Sequence, residues 1–177
     1  MMSKNKFDMY AVLSKPKSEP EKAGKAGEYF AEQLFKLKGW NYEKLPQNIL
    51  ELPKLLKAFG GKRPDYIIEA KPECENTIIV VDAKYHSTEN CSKWYMENDE
   101  IIKYNGLKKY LEDQYSNYVV YVLFILFPKE SNGNKVIFVS LSDFNEIEIS
   151  YKGTTPIKKI NLSSGDFLVE DCILYKQ

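Results

Sequence analysis

Histidine is nearly absent from this chain, and a single one, His86, argues against a histidine-based triad or a multi-histidine metal centre, although one imidazole can still assist. Cysteine is scarce as well: Cys74, Cys91 and Cys172 have neither the even count of a disulfide framework nor the close pairing of a zinc site, so free thiols are expected. The longest apolar run, Val119 to Phe127, is strand length and far short of a membrane span, and no secretory signal opens the chain. A cytoplasmic protein off the membrane is expected. Net charge is missing too, with 25 basic and 25 acidic residues. A neutral total argues against strong indiscriminate binding to nucleic acid.

The charge that is present is unevenly placed. Residues 1–63 hold 13 lysines and arginines against 7 acids, and the remainder holds 12 against 18. That split permits an anionic partner near the N-terminal part, or simply a lysine-rich solvated face. With 177 residues and 44% hydrophobic content, the chain can bury one core without staples. The expected organisation is a loose arm over 1–17 followed by one domain over 18–177.

Local patterns fix the expected elements. Ser18-Glu19-Pro20-Glu21 reads as a capping box, opening a helix to about Lys38. Its inner stripe is Ala26, Phe30, Leu34 and Leu37, with Ala31 and Phe35 on a flank that brings Glu28 to the edge of a buried face. Gly39 ends it, and Trp40 to Leu45 follows as an extended segment. Asn48 to Phe59 reads as helix, with Pro53 in its first turn or at a kink. Strands are expected at Tyr66–Ala70 and Thr77–Lys84 around a turn at Lys71–Asn76. A helix spans Asn98–Tyr115, with Ile101, Ile102, Leu107 and Leu111 inside. Tyr118–Phe127 is a strand buried on both faces, Ser131–Asn134 a turn, and Lys135–Leu141 another strand, with irregular strands over Asn145–Tyr175. This order predicts an α/β fold with a central mixed sheet flanked by helices.

One strand ends against expectation. The apolar run Ile78-Ile79-Val80-Val81 passes into Asp82-Ala83-Lys84, and alternation puts Asp82 and Lys84 on the same face. If the preceding hairpin turns symmetrically about Cys74 and Glu75, Asp65 falls opposite Lys84 and diagonally from Asp82, about 7–8 Å away. Two carboxylates held that close are relieved by a raised pKa, a neighbouring cation or a bound metal. Oxygen ligands select a hard ion, Mg2+ before Zn2+. A lysine beside them can orient and help deprotonate a water, or neutralise charge on a phosphate. Phosphodiester hydrolysis is the chemistry this set implies. The plainer alternative is a turn-capping Asp65 and a solvent-facing Asp82–Lys84 pair.

These residues carry a resemblance. Pro64-Asp65 and Asp82-Ala83-Lys84 resemble the signature of the PD-(D/E)xK nuclease superfamily, and Phe59 to Asp65, Ile79 to Lys84 and Asp99 to Tyr104 resemble the cleavage domain of FokI-type restriction endonucleases. The likeness covers about residues 24–127. It implies a restriction-endonuclease-like fold, with Asp65 and Asp82 as metal ligands, the Ala83 carbonyl as another, and Lys84 as the catalytic lysine. It also implies Glu28 as a water-mediated or second-metal ligand, with Glu32 one turn later as the fallback. The cofactor implied is Mg2+, with Mn2+ as substitute. The activity implied is a restriction or defence endodeoxyribonuclease acting on DNA, expected as a homodimer because cutting both strands needs two sites; the segment before Gly60 is too short for a recognition domain, so the target is found through a separate recognition subunit, read by the chain's own loops, or cut with little sequence preference. A junction resolvase and a catalytically silent DNA-binding or assembly module are the alternatives on the same fold.

Around that signature, Lys62 and Arg63 either grip a flanking DNA phosphate or form a basic turn. Lys103, Lys108 and Lys109 read as a solvated helix face. Trp94 and Tyr104 offer rings for base stacking, but in a chain with 13 tyrosines core packing is expected. His86 is read as surface polar.

Overall fold

A computed structural model describes residues 19–45 and 54–162. The expected arm, the Ser18 cap, the start of the Asn48–Phe59 helix and everything after Leu162 lie outside the described residues. Twelve α-helices and β-strands follow in order, with a 3-10 turn at Lys129–Ser131 after the fifth strand: α1 (Glu19–Lys38), β1 (Tyr42–Lys44), α2 (Lys54–Ala58), β2 (Tyr66–Ile68), β3 (Thr77–His86), β4 (Lys93–Glu97), α3 (Asn98–Gln114), β5 (Val119–Pro128), β6 (Ile137–Ser140), α4 (Leu141–Asn145), β7 (Ser150–Lys152) and β8 (Thr155–Asn161).

The architecture is mixed α/β. Five strands form a central sheet in the order β1-β2-β3-β5-β6. β3 and β5 pair in parallel over their full length, from Thr77 opposite Val119 to His86 opposite Pro128, while the other pairings are antiparallel. A parallel pair needs a crossover, and β4 with α3 supplies it. β4 joins a separate three-stranded sheet, β4-β8-β7.

Each face of the central sheet builds its own core. Val81, Ala83 and Tyr85 of β3 meet Ala26, Phe30, Ala31, Leu34 and Phe35 of α1. Val80 of β3 and Val122, Phe124 and Leu126 of β5 meet Trp94, Ile101, Tyr104 and Leu107 on the other side. Since β3 and β5 are covered on both faces, they read as unbroken apolar runs. Gly39, with positive φ (70°), closes α1, and the Trp40 amide returns to the Phe35 carbonyl.

Several expectations need correction. Leu37 is 80% exposed, because α1 docks through the Ala26–Phe30–Phe35 side. Ile102 is 57% exposed, because Tyr104 takes the inner position on α3 and packs edge-on against Phe124. β4 and the short helix α4 were not expected at all. The β2–β3 register differs by two residues: Tyr66 faces Val81 and Ile68 faces Ile79, which places Asp65 across from Asp82 and not from Lys84. The turn is asymmetric, tightened by the Cys74 amide on the Lys71 carbonyl and by a left-handed Asn76 (φ 61°). Cys91 is a free thiol as expected, whereas Cys74 is disulfide-bonded. Among the described residues no helix is long and apolar enough to cross a membrane.

Candidate active site

β2 is only three residues long, so its ladder with β3 stops at Val81, and the next donor on that edge, the Ala83 amide, has no strand partner. The Asp65 carboxylate takes it: Oδ2 accepts from Ala83 N at 2.8 Å, while the Asp65 amide donates to the Val81 carbonyl at 3.0 Å. The ladder's end thus fixes Asp65 beside the charged end of β3. Asp82, 3% exposed, is the one buried charged residue of the described core.

Lys84 and Asp82 share a face of β3, as alternation requires, and Lys84 Nζ lies 2.8 Å from Asp82 Oδ2. That face looks toward the first turns of α3, which begins immediately after β4. There Glu100 Oε1 lies 2.6 Å from Lys84 Nζ, and Tyr104, one turn on, accepts from the same ammonium at 3.0 Å. An acid in the first turn also suits the helix dipole.

Lys62 arrives at the same acceptors from another direction. Gly61 and Gly106 have no room for a side chain: a Cβ on Gly106 would stand 2.4 Å from the Phe59 carbonyl, and one on Gly61 2.2 Å from Leu56 Cδ1. This close approach lays Lys62 along α3, its amide donating to the Lys103 carbonyl. Lys62 Nζ then reaches Glu100 Oε1 and the Tyr104 hydroxyl, both at 2.9 Å, and stands 4.0 Å from Asp82 Oδ1.

α1 closes the other side. A Cβ on Gly27 would meet the Ala83 carbonyl at 3.1 Å and the Tyr85 amide at 3.2 Å, so glycine lets the helix press on β3 at this point. Glu28 is carried to the cleft by that contact, its Oε2 paired with Lys44 Nζ at 2.8 Å. Glu32 shares Lys44 and accepts from the Tyr66 hydroxyl, but does not line the cleft.

The result is one cleft of about 430 Å3 lined by Glu28, Lys62, Asp65, Asp82, Ala83, Lys84 and Glu100, with Tyr85 and His86 at its rim. The sequence-predicted residues Asp65, Asp82, Ala83, Lys84, Glu28 and Lys62 therefore meet in one place. Arg63 is half-buried and does not line it. Trp94 and Tyr104 are core rings, as expected, though the Tyr104 hydroxyl reaches the site. Glu100 and Gly27 were missed. Glu100 falls within the Asp99–Tyr104 segment, and its spacing to Tyr104, one helical face, is the signal that could find it.

Electrostatics divide the acids. Burial, and then the Asp82 charge, push the Asp65 carboxyl up to about 7, against the pull of the Ala83 amide. Burial would raise Glu100 as well, but Lys84 and Lys62 outweigh it and hold its carboxyl at about 2. Lys84 is opposed by its own burial, yet Asp82 and Glu100 lift it above the ordinary lysine value and keep it charged. Burial first, then the same two acids, hold the Tyr104 hydroxyl protonated.

Among the described residues no three His, Cys, Asp or Glu side chains gather into a metal cluster. What the cleft offers is two carboxylates and a main-chain carbonyl, all oxygen. Asp82 still raises the Asp65 carboxyl although Lys84 is paired with Asp82, and an all-oxygen set with that residual repulsion fits a hard divalent cation. No family model matches the chain, and no curated protein matches it at a meaningful level of similarity.

Proposed function

We propose that this chain is a Mg2+-dependent endodeoxyribonuclease of the PD-(D/E)xK type, restriction or defence in kind. The observation that carries the reading is the convergence of Asp65, Asp82 and Lys84 in one cleft, with the lysine charged and fixed. Asp65, Asp82 and the Ala83 carbonyl would hold the ion, with Glu28 at its outer edge, and Mn2+ would substitute. When bound, the ion supplies a polarised phosphate and a water of lowered pKa.

The chain's own residues do the rest. Lys84, kept as an ammonium by Asp82 and Glu100, neutralises charge that builds on the phosphate oxygens as water attacks and the opposite P–O bond breaks. Of the two roles open to such a lysine, the raised pKa favours this one over proton abstraction. Glu100 and the Tyr104 hydroxyl aim the ammonium. Cutting both strands of a duplex takes two clefts, so a C2 homodimer, or a partner subunit that supplies recognition, completes the enzyme.

The test is to incubate the protein with plasmid, linear duplex and four-way junction, with Mg2+ or with chelator, beside Asp82→Ala. Cleavage requires Mg2+, and Asp82→Ala lowers its rate by at least about a hundredfold. Cleavage that survives chelator, or is indifferent to the substitution, rejects the site. Preference for the junction identifies a resolvase, and no cleavage of any substrate points to the silent module or to a missing partner subunit.

A further inference from the structure

Two lysines converge on the same acceptors in the cleft, and they are not equivalent. Glu100 Oε1 takes Lys84 Nζ at 2.6 Å and Lys62 Nζ at 2.9 Å, and the Tyr104 hydroxyl takes them at 3.0 and 2.9 Å. Lys84 holds a third partner, Asp82 Oδ2, at 2.8 Å, with its side chain 12% exposed. Lys62 reaches only toward the other oxygen of that carboxylate, Oδ1, at 4.0 Å, too far for a hydrogen bond, and its side chain is 38% exposed. Both acceptors of Lys62 are thus already served by Lys84.

That redundancy has an electrostatic consequence. Moving the Lys62 ammonium outward leaves neither Glu100 nor Tyr104 without a donor, whereas moving Lys84 would strip the buried Asp82 of its nearest cation. While Lys62 stays, its charge faces the Asp82 oxygen that Lys84 does not hold, and any cation brought to Asp82 is opposed by it. The main chain does not follow the side chain out, because the Lys62 amide donates to the Lys103 carbonyl and Gly61 is pressed against α3. The movement is confined to a side chain that already lines the cleft.

We propose that Lys62 is an exchangeable counter-ion that couples the two ligands of the cleft: in the absence of substrate it opposes a divalent cation at Asp82, and a phosphodiester entering the cleft draws the ammonium away and lets the cation bind. The identity of the anion rests on the nuclease reading above; the exchange itself rests on the shared acceptors and on the Asp82 oxygen that Lys62 faces. Linkage works in both directions, so the cation strengthens phosphodiester binding by the same factor. The cleft loads its cation together with substrate and not ahead of it.

Manganese binding tests it, with free Mn2+ read by electron paramagnetic resonance. The titration is run alone and with a short DNA duplex in which a methylene group replaces one bridging oxygen at every linkage, which keeps the charge and resists hydrolysis. Wild type binds Mn2+ weakly alone and about tenfold more tightly with the duplex. Lys62→Gln and Lys62→Met, which remove the charge, bind Mn2+ alone about tenfold more tightly than wild type does, and the duplex adds little. Lys62→Arg keeps the charge and keeps the weak binding. The coupling is overturned if neither neutral variant, folded by circular dichroism, gains affinity for Mn2+ alone, if the duplex fails to tighten Mn2+ binding by wild type, or if none of the proteins binds Mn2+. Mg2+-dependent cleavage by wild type is scored separately. Tighter Mn2+ binding in the neutral variants without any cleavage supports the coupling and counts against hydrolysis by this chain alone; cleavage with Mn2+ affinity unmoved by either variant does the reverse.

Discussion

Two clusters built on a lysine bridging two acids flank the cleft, and the inner one adds a second lysine, Lys62, on Glu100. On α1 and β1, Lys44 is held by Glu28 and Glu32, with the lysine side chain 47% exposed. On β3 and α3, Lys84 is held by Asp82 and Glu100, with the lysine 12% exposed and Asp82 4%. The first is a surface pairing that water largely replaces. The second is buried, so each charge depends on the others for compensation. Depth, more than the list of residues, makes one a clamp and the other a candidate reaction centre.

The comparison is broken most severely by Lys84→Ala. It leaves the buried Asp82 without its nearest cation and Glu100 with Lys62 alone, and is expected to cost about 3 kcal/mol at neutral pH by urea unfolding, besides abolishing cleavage. Next in size is Gly27→Ala, which drives a methyl into the Ala83 carbonyl that α1 presses on. A loss of about 1–3 kcal/mol is expected, with a fall in cleavage as Glu28 is displaced.

Asp65→Asn has the opposite sign. A carboxyl raised to about 7 in the fold and titrating near 4 unfolded removes stability as pH rises from about 4 to 7, with the full penalty above 7. The variant, which can still accept from the Ala83 amide, should be more stable than wild type by roughly 1–2 kcal/mol at pH 8, and no more stable near pH 4. Added Mg2+ should raise the wild-type melting temperature at pH 8 and leave that of the variant unchanged. Glu100 runs the other way: held at about 2, it adds stability that is complete above its unfolded pKa and is lost as pH falls from about 4.5 toward 2. The smallest effect belongs to Lys44→Ala, expected within about 1 kcal/mol and weaker still in high salt.

How much of this was legible in sequence depended on whether the signal was local. The end of β3 was readable because a strand covered on both faces has no cause to become charged, and alternation alone joins Asp82 to Lys84. The end of α1 was readable from its breaker, Gly39. Which side of a helix docks was harder: Leu37 and Ile102 fit an apolar stripe but lost the inner position to Phe35 and Tyr104, whose larger rings fill the space against the sheet. β4 was unreadable because five residues with charges at both ends resemble a loop until β8, some sixty residues later, supplies the partner. The β2–β3 register was missed by two because a symmetric turn was assumed where Asn76 adopts a left-handed conformation. Glu100 could not be assigned from the chain alone, since its role exists only once α3 is laid across the sheet.

The small sheet has one further consequence. β4 sits between the strand that bears the acids and the helix that bears Glu100, yet its backbone is completed by β8, near the end of the described chain. During synthesis β4 emerges some sixty residues ahead of β8, so its outer backbone donors and acceptors wait for residues past 155 before that edge is paired, whereas the start of α3 can already settle on β3 and β5.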